Sequence, residues 1–371
     1  MRFLRVFLLL APLLIVFAPQ VYAADMDAVR EDMFRESGAN SLLRALPEET
    51  QELLRGADIS PDRMGETDGE TVLSFISAAL QTEFRAPLQT LLLLVAVVVL
   101  CSVVLEYAPD AVRPTVNLCG AVMAAVLLLP RITDLIGNAG VIVNTAGAFL
   151  AAAVPVYAGL MISSGNVAAG SSYGALTLTA ANSVSVLSAA FLMPLLRVFL
   201  AVSAVSAVTT FDLKKLTDGF YRAIKWLLIL AVTVFSGVLT IQTVITAQTD
   251  VVANRTAKLI ASSAVPIVGS AFGDAIAAIA GSLSLVKSSA GAFGLLASLA
   301  VFLPTCAKAA LWLAVCLIAA FSSELFDLKK LSSFFEGCAT AMKLLLAVLI
   351  SVGMVSVVSA AVVLCVRGAY A

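Results

Sequence analysis

A chain of 371 residues that is 61% hydrophobic and only 13% charged, with a mean hydropathy of +1.02, cannot present the polar exterior of a water-soluble fold. Its repeated apolar stretches of about 20 residues match a hydrocarbon core about 30 Å thick, which defines an all-α, polytopic helical membrane protein. The chain contains no histidine, so it lacks the commonest metal ligand and the commonest general base near neutral pH.

The first 23 residues read as a secretory signal peptide. Arg2 and Arg5 supply the positive start and Phe7 to Phe17 the apolar run, and Val21 and Ala23 form a small-residue cleavage pattern with the cut after Ala23. Residues 24–85 carry 14 acidic and 6 basic side chains, the mark of a solvated segment. Pro47 followed by Glu48, Glu49 and Glu52 suits a helix start, with acids at the positive end of the dipole. After the turn-rich stretch 56–70, Val72, Phe75, Ile76, Ala79 and Leu80 recur at helical spacing. The segment therefore reads as a small helical ectodomain on the extracytoplasmic side.

Residues 86–115 hold a first span and loop. Beyond it, apolar segments near 116–136, 141–162, 173–193, 195–211, 222–246, 258–280, 288–304, 305–323 and 341–366 bring the expected total to about 8–10 spans. Stretches 173–211 and 288–323 are too long for one crossing, and Pro194 and Pro304 near their middles predict either a hairpin or one kinked helix. The Gly-, Ala- and Ser-rich regions 150–172 and 262–286 read either as spans or as re-entrant segments.

The hexapeptide FDLKKL occurs at 211–216 and again at 326–331. Other fragments recur in the same order: VP at 154–155 and 265–266, SYGAL at 172–176 against SAGAF at 289–293, and FLMP at 191–194 against VFLP at 301–304. These echoes predict two copies of one unit, 116–216 and 217–331, followed by a last span in 332–371. An even number of crossings between the hexapeptides makes the repeats parallel. Lys214, Lys215, Lys329 and Lys330 then all face the cytoplasm, as the excess of positive charge in cytoplasmic loops requires. With Asp212 and Asp327 they are candidate interfacial anchors or docking points for a cytoplasmic partner.

Motifs for catalysis are missing. AAGSSYGA at 168–175 lacks the lysine of a phosphate-binding loop, and neither an enzymatic activity nor a cofactor is expected. The six cysteines, at 101, 119, 306, 316, 338 and 365, lie mostly in apolar stretches with no CxxC and read as small core or lipid-facing residues. Charges inside apolar stretches are costly and mark candidate functional positions; these are Asp274, Arg197, Lys308 and Lys287. Asp274 suits either a polar pathway or a structural pair with a basic residue, and Gly269 and Gly273 form a GxxxG spacing beside it.

The stretch RTAKLIASSAVPIVGSAFGDAIAAIAGSLSLVKSSAGAFG at 255–294 resembles the stage III sporulation protein AE family, polytopic membrane proteins of endospore-forming bacteria. Arg255 to Lys258, the Pro266 to Gly269 turn, Asp274–Ala275 and Ser282 to Lys287 carry the likeness. The resemblance implies a membrane subunit, platform or export-gate-like, of the channel complex linking mother cell and forespore, required for late forespore gene expression. It implies location in the mother-cell membrane around the forespore. The implied partners are other stage III sporulation membrane and ring proteins, an ATPase-like cytoplasmic member among them, and no nucleic acid. It assigns no catalytic residue. From the residues alone, a transporter acting by itself at the interface of the two repeats and a non-conducting scaffold stand beside that reading.

Overall fold

The computed structural model describes residues 38–62, 64, 67–80, 85–109, 111–209, 214–263 and 269–365. Within these, the side chains of residues 40, 69, 78–80, 207, 214, 239, 241–280 and 365 are not described. The signal peptide with Ala23, and Asp212 of the first hexapeptide, lie outside the described residues.

Three short helices come first: α1 (Ala39–Arg44), α2 (Glu48–Gly56) and α3 (Gly69–Leu80). Then follow α4 (Arg85–Tyr107), α5 (Arg113–Ser163) and α6 (Val167–Leu187), a π-helical turn at Ser188–Leu192, and α7 (Met193–Val208). The last three are α8 (Lys214–Ser263), α9 (Gly269–Leu325) and α10 (Lys329–Cys365). Among the described residues, six helices are long and apolar enough to cross a membrane. The chain is a polytopic helical membrane protein.

That count is lower than the sequence suggests, and the reason is continuity. Segments 116–136 and 141–162 are one helix, α5, of 51 residues, about 77 Å long at 1.5 Å per residue. Segments 288–304 and 305–323 are likewise one helix, α9, which runs through Pro304. At Pro194 the chain continues too, because the preceding turn widens. The N–H of Met193 donates to Ser188 O, and the π turn absorbs the hydrogen bond and the space that proline takes from an α-helix. Neither proline makes a hairpin. In the region 150–172, α5 runs through Pro155 to Ser163 and the chain turns tightly at residues 164–166 into α6.

Close contacts at small residues fix how the helices lie, since glycine lets two backbones approach. Near the hexapeptides, a Cβ on Gly120 of α5 would stand 2.6 Å from Cys101 Sγ of α4 and 3.3 Å from Leu331 Cδ1 of α10. Gly337 of α10 faces Ser203 of α7 at the same end. Towards the other end, Gly294 of α9 faces Tyr157 of α5 and Ala360 of α10. Tyr173 Oη of α6 donates to Ser359 O of α10 at 2.7 Å, and the rings of Tyr157 and Tyr173 meet edge to face, 6.4 Å between centroids. Helices α5 and α10 therefore run in one direction, with α6, α7 and α9 opposed to them. All share one core, in which Leu128, Ile132, Phe199, Phe293, Phe335 and Leu345 are almost completely buried. The short helices α1 to α3 pack on α5 and α9, with Gly38 beside Val156 near the far end.

Both lysine pairs open a helix: Lys214 begins α8 and Lys329 begins α10. The second hexapeptide is a helix-to-helix joint. Asp327 takes a left-handed conformation, φ 53°, its N–H donates to Glu324 O at 3.0 Å, and Leu328 N–H donates to Ser323 O at 2.9 Å. Those two bonds close the end of α9 as a Schellman motif with aspartate in the usual glycine position. Leu328 and Leu331 are buried, at 1% exposure each, while Lys329 and Asp327 form an exposed ion pair of 3.7 Å. Phe, Asp and Leu end one helix, Lys-Lys-Leu starts the next, and the two leucines hold the joint to the core.

Candidate functional site

The charged side chains on the long helices are few and regularly placed. Arg131, Asp134, Arg197, Lys308, Glu336 and Lys343 are all exposed, and none has an ion-pair partner among the described residues. Arg197 lies against Gly137, with its Nη2 3.4 Å from where a Cβ would stand.

Glu336 stands apart from the rest. It is 7 residues into α10 from Lys329, about 10 Å along the axis, on a helix with apolar neighbours. It lines an open cleft of about 300 Å³ between α9 and α10, with Leu317, Ala320, Phe321, Glu324, Thr340 and Lys343. The packing of α9 on α10, the most extensive helix pair in the molecule, forms the floor through Ala320 and Ala339, whose small side chains leave the space open. Glu324 is held at the mouth, accepting from Ser332 Oγ at 3.4 Å. Thr340 Oγ1 is committed to its own helix, donating to Glu336 O at 2.9 Å. The cleft thus offers two carboxylates and one ammonium among apolar side chains, with Phe321 and Leu325 exposed at 67% and 70% beside it. Charges in such a setting demand a partner when lipid surrounds them. A second open cleft, about 490 Å³, lies between α5 and α7, with Val126, Leu129, Pro130 and Asp134 among its lining residues.

The positions singled out in the sequence do not converge. Lys287 is buried at 3% exposure, while Lys308, 21 residues further along the same helix, is exposed and about 31 Å away along the axis. Arg197 sits on α7. The side chain of Asp274 lies outside the described residues; its backbone belongs to α9. Lys215, Asp327, Lys329 and Lys330 lie at one end of the bundle, with the backbone of Lys214. Sequence reasoning passed over Glu324, Glu336 and Lys343. The available signal was the spacing of Glu336 and Lys343, two helical turns apart on one face of an otherwise apolar helix. No group of three or more potential metal ligands forms among the described residues.

Bundle, apolar exterior and sparse charge define a multi-pass helical membrane protein. Comparison with known proteins makes the assignment specific. The family described as Stage III sporulation protein AE matches residues 61–367, and the chain belongs to that family. The curated Stage III sporulation protein AE of Bacillus subtilis (strain 168) is 28% identical over 153 residues, 41% of this chain and 38% of the relative. The matched part therefore spans well under half of that protein. No solved structure matches the chain.

Proposed function

We propose that this chain is a membrane platform subunit, export-gate-like, of the sporulation channel complex that links mother cell and forespore and supports late forespore gene expression. In this reading it sits in the mother-cell membrane around the forespore, with the lysine-bearing joints towards the cytoplasm and the acidic helices α1 to α3 in the intermembrane space. Its partners are other stage III sporulation membrane and ring proteins, and an ATPase-like member supplies the energy. The single observation that carries a subunit rather than a solitary protein is the cleft of Glu324, Glu336 and Lys343, which opens on the outer surface. A carboxylate facing hydrocarbon is too costly to leave unmatched, so a neighbouring protein has a reason to cover it. Two long helices, α8 and α9, lie between the hexapeptides, where four spans were expected. Two is still even, which favours lysine pairs on one face and the parallel-repeat reading.

Affinity purification of the full chain from sporulating cells tests the proposal. Glu336→Lys should leave the chain in the membrane at normal amount, lose the co-purifying stage III proteins and block late forespore gene expression. Normal sporulation with partners retained in Glu336→Lys would refute the assignment of the cleft to assembly.

A further inference from the structure

The long helices exceed any bilayer, so only part of each can lie in lipid. We infer that the hydrocarbon covers the half of the bundle next to the hexapeptides, and that the far half stands clear of it on the side opposite the lysines. This rests on the membrane class of the family and not on the channel reading. Helix α4 is the ruler. Exposed Arg85 and exposed Glu106 near its ends are 21 residues apart with no charge between, about 31 Å, the thickness of the hydrocarbon core.

Helices α5 and α9 carry similar charge-free intervals. Arg113 and Arg131 on α5 are 18 residues apart, and Lys308 and Glu324 on α9 are 16, about 27 Å and 24 Å. The contacts of Gly120 with Cys101 and Leu331 set α4, α5 and α10 at one level, and that of Gly137 with Arg197 brings α7 to the Asp134 turn. Two rings of charge result, with Glu336 of α10 between them, and large apolar side chains are exposed on both sides of the second ring, Val141 at 62% and Val167 at 59% among those beyond it. Between the rings, large apolar groups face outward: Leu92 at 70%, Val126 at 69% and Phe321 at 67% exposed. Beyond the second ring the exposed positions also include Asn144 and Asn182, whose amides lipid would not solvate. The acidic segment that contains α1 to α3 packs on α5 and α9, with Gly38 beside Val156 in the far part of α5, which suits water. The far half is apolar inside because its helices bury one another.

Tryptophan quenching by brominated phospholipid in reconstituted vesicles reads this directly, since the chain has only two tryptophans. In a Trp226→Phe, Trp312→Phe background, one tryptophan is introduced at Val126 or Phe321, between the rings, or at Leu178 or Val186, beyond them. Emission should fall for Val126→Trp and Phe321→Trp and stay unchanged for Leu178→Trp and Val186→Trp. Equal quenching at all four positions would put the far half in lipid and overturn the inference. Quenching at none of them would overturn it as well, and would remove the membrane placement on which it rests.

Discussion

The backbone N–H of Leu328 donates to the carbonyl of Ser323 at 2.9 Å, and this bond explains the second hexapeptide. Two other helices end with the same closure. Ile59 N–H donates to Leu54 O across Asp58, and Asn166 N–H to Met161 O across Gly165, with φ of 54° and 85° at the left-handed residue. A buried residue follows each turn: Ile59, Asn166 and Leu328. Aspartate is one of the few residues besides glycine that visits this backbone region routinely, so at 326–331 FDL is a stop and KKL a restart.

At Asp327 the backbone, not the carboxylate, sets the requirement. Asp327→Gly should leave thermal stability in detergent unchanged or slightly raised, whereas Asp327→Val should lower it by about 1–2 kcal/mol. The exposed pair with Lys329 contributes little, so Lys329→Ala should melt with the wild type.

Tyr157 and Gly294 form a tight contact at the far end. Tyr157 Oη is buried with no hydrogen-bond partner among the described residues, and a Cβ on Gly294 would collide with it. Gly294→Ala should cost about 1–3 kcal/mol, the usual range for overpacking. Tyr157→Phe removes the colliding oxygen and should restore part of the loss in the double variant, since the ring carbon Cζ stands 3.0 Å from that Cβ position. Thermal melts of the two single variants and the double variant measure the coupling. Additive effects would mean that the two residues do not share this space.

The lysine pairs should control orientation more than stability. Replacing Lys329 and Lys330 by Glu reverses charge at an exposed to half-buried joint and opposes the positive-inside bias. Reporter fusions after Cys365 should show mixed orientation for this variant and a single orientation for the wild type.

Part of the helix layout was legible in the sequence because composition speaks to chain-local physics. Membrane class follows from hydropathy, and one kinked helix ahead of the second hexapeptide was one of the two readings that Pro304 allowed; the helix starts at Lys214 and Lys329 were not foreseen. The continuity of α5 was not legible either, because 141–162 is as apolar as a separate span while residues such as Val143, Phe149 and Tyr157 are buried against neighbouring helices; hydropathy cannot separate such burial from lipid exposure. Glu336 was illegible for a related reason. Its importance comes from the cleft that α9 and α10 make together, and no local pattern announces a space between helices distant in the chain. Lys287 and Lys308 looked equivalent in sequence, yet one is buried and the other exposed, which depends on the faces the helix presents.

The most direct test of the account is the sidedness of its two lysine joints. In a cysteine-free chain, single cysteines replacing Lys215, Lys330 or Ser171 are treated in intact cells with a membrane-impermeant maleimide. The account predicts protection at 215 and 330 and labelling at 171. Labelling at one lysine site with protection at the other would place an odd number of crossings between them, contradicting both the parallel arrangement and the cytoplasmic face assigned to the hexapeptides.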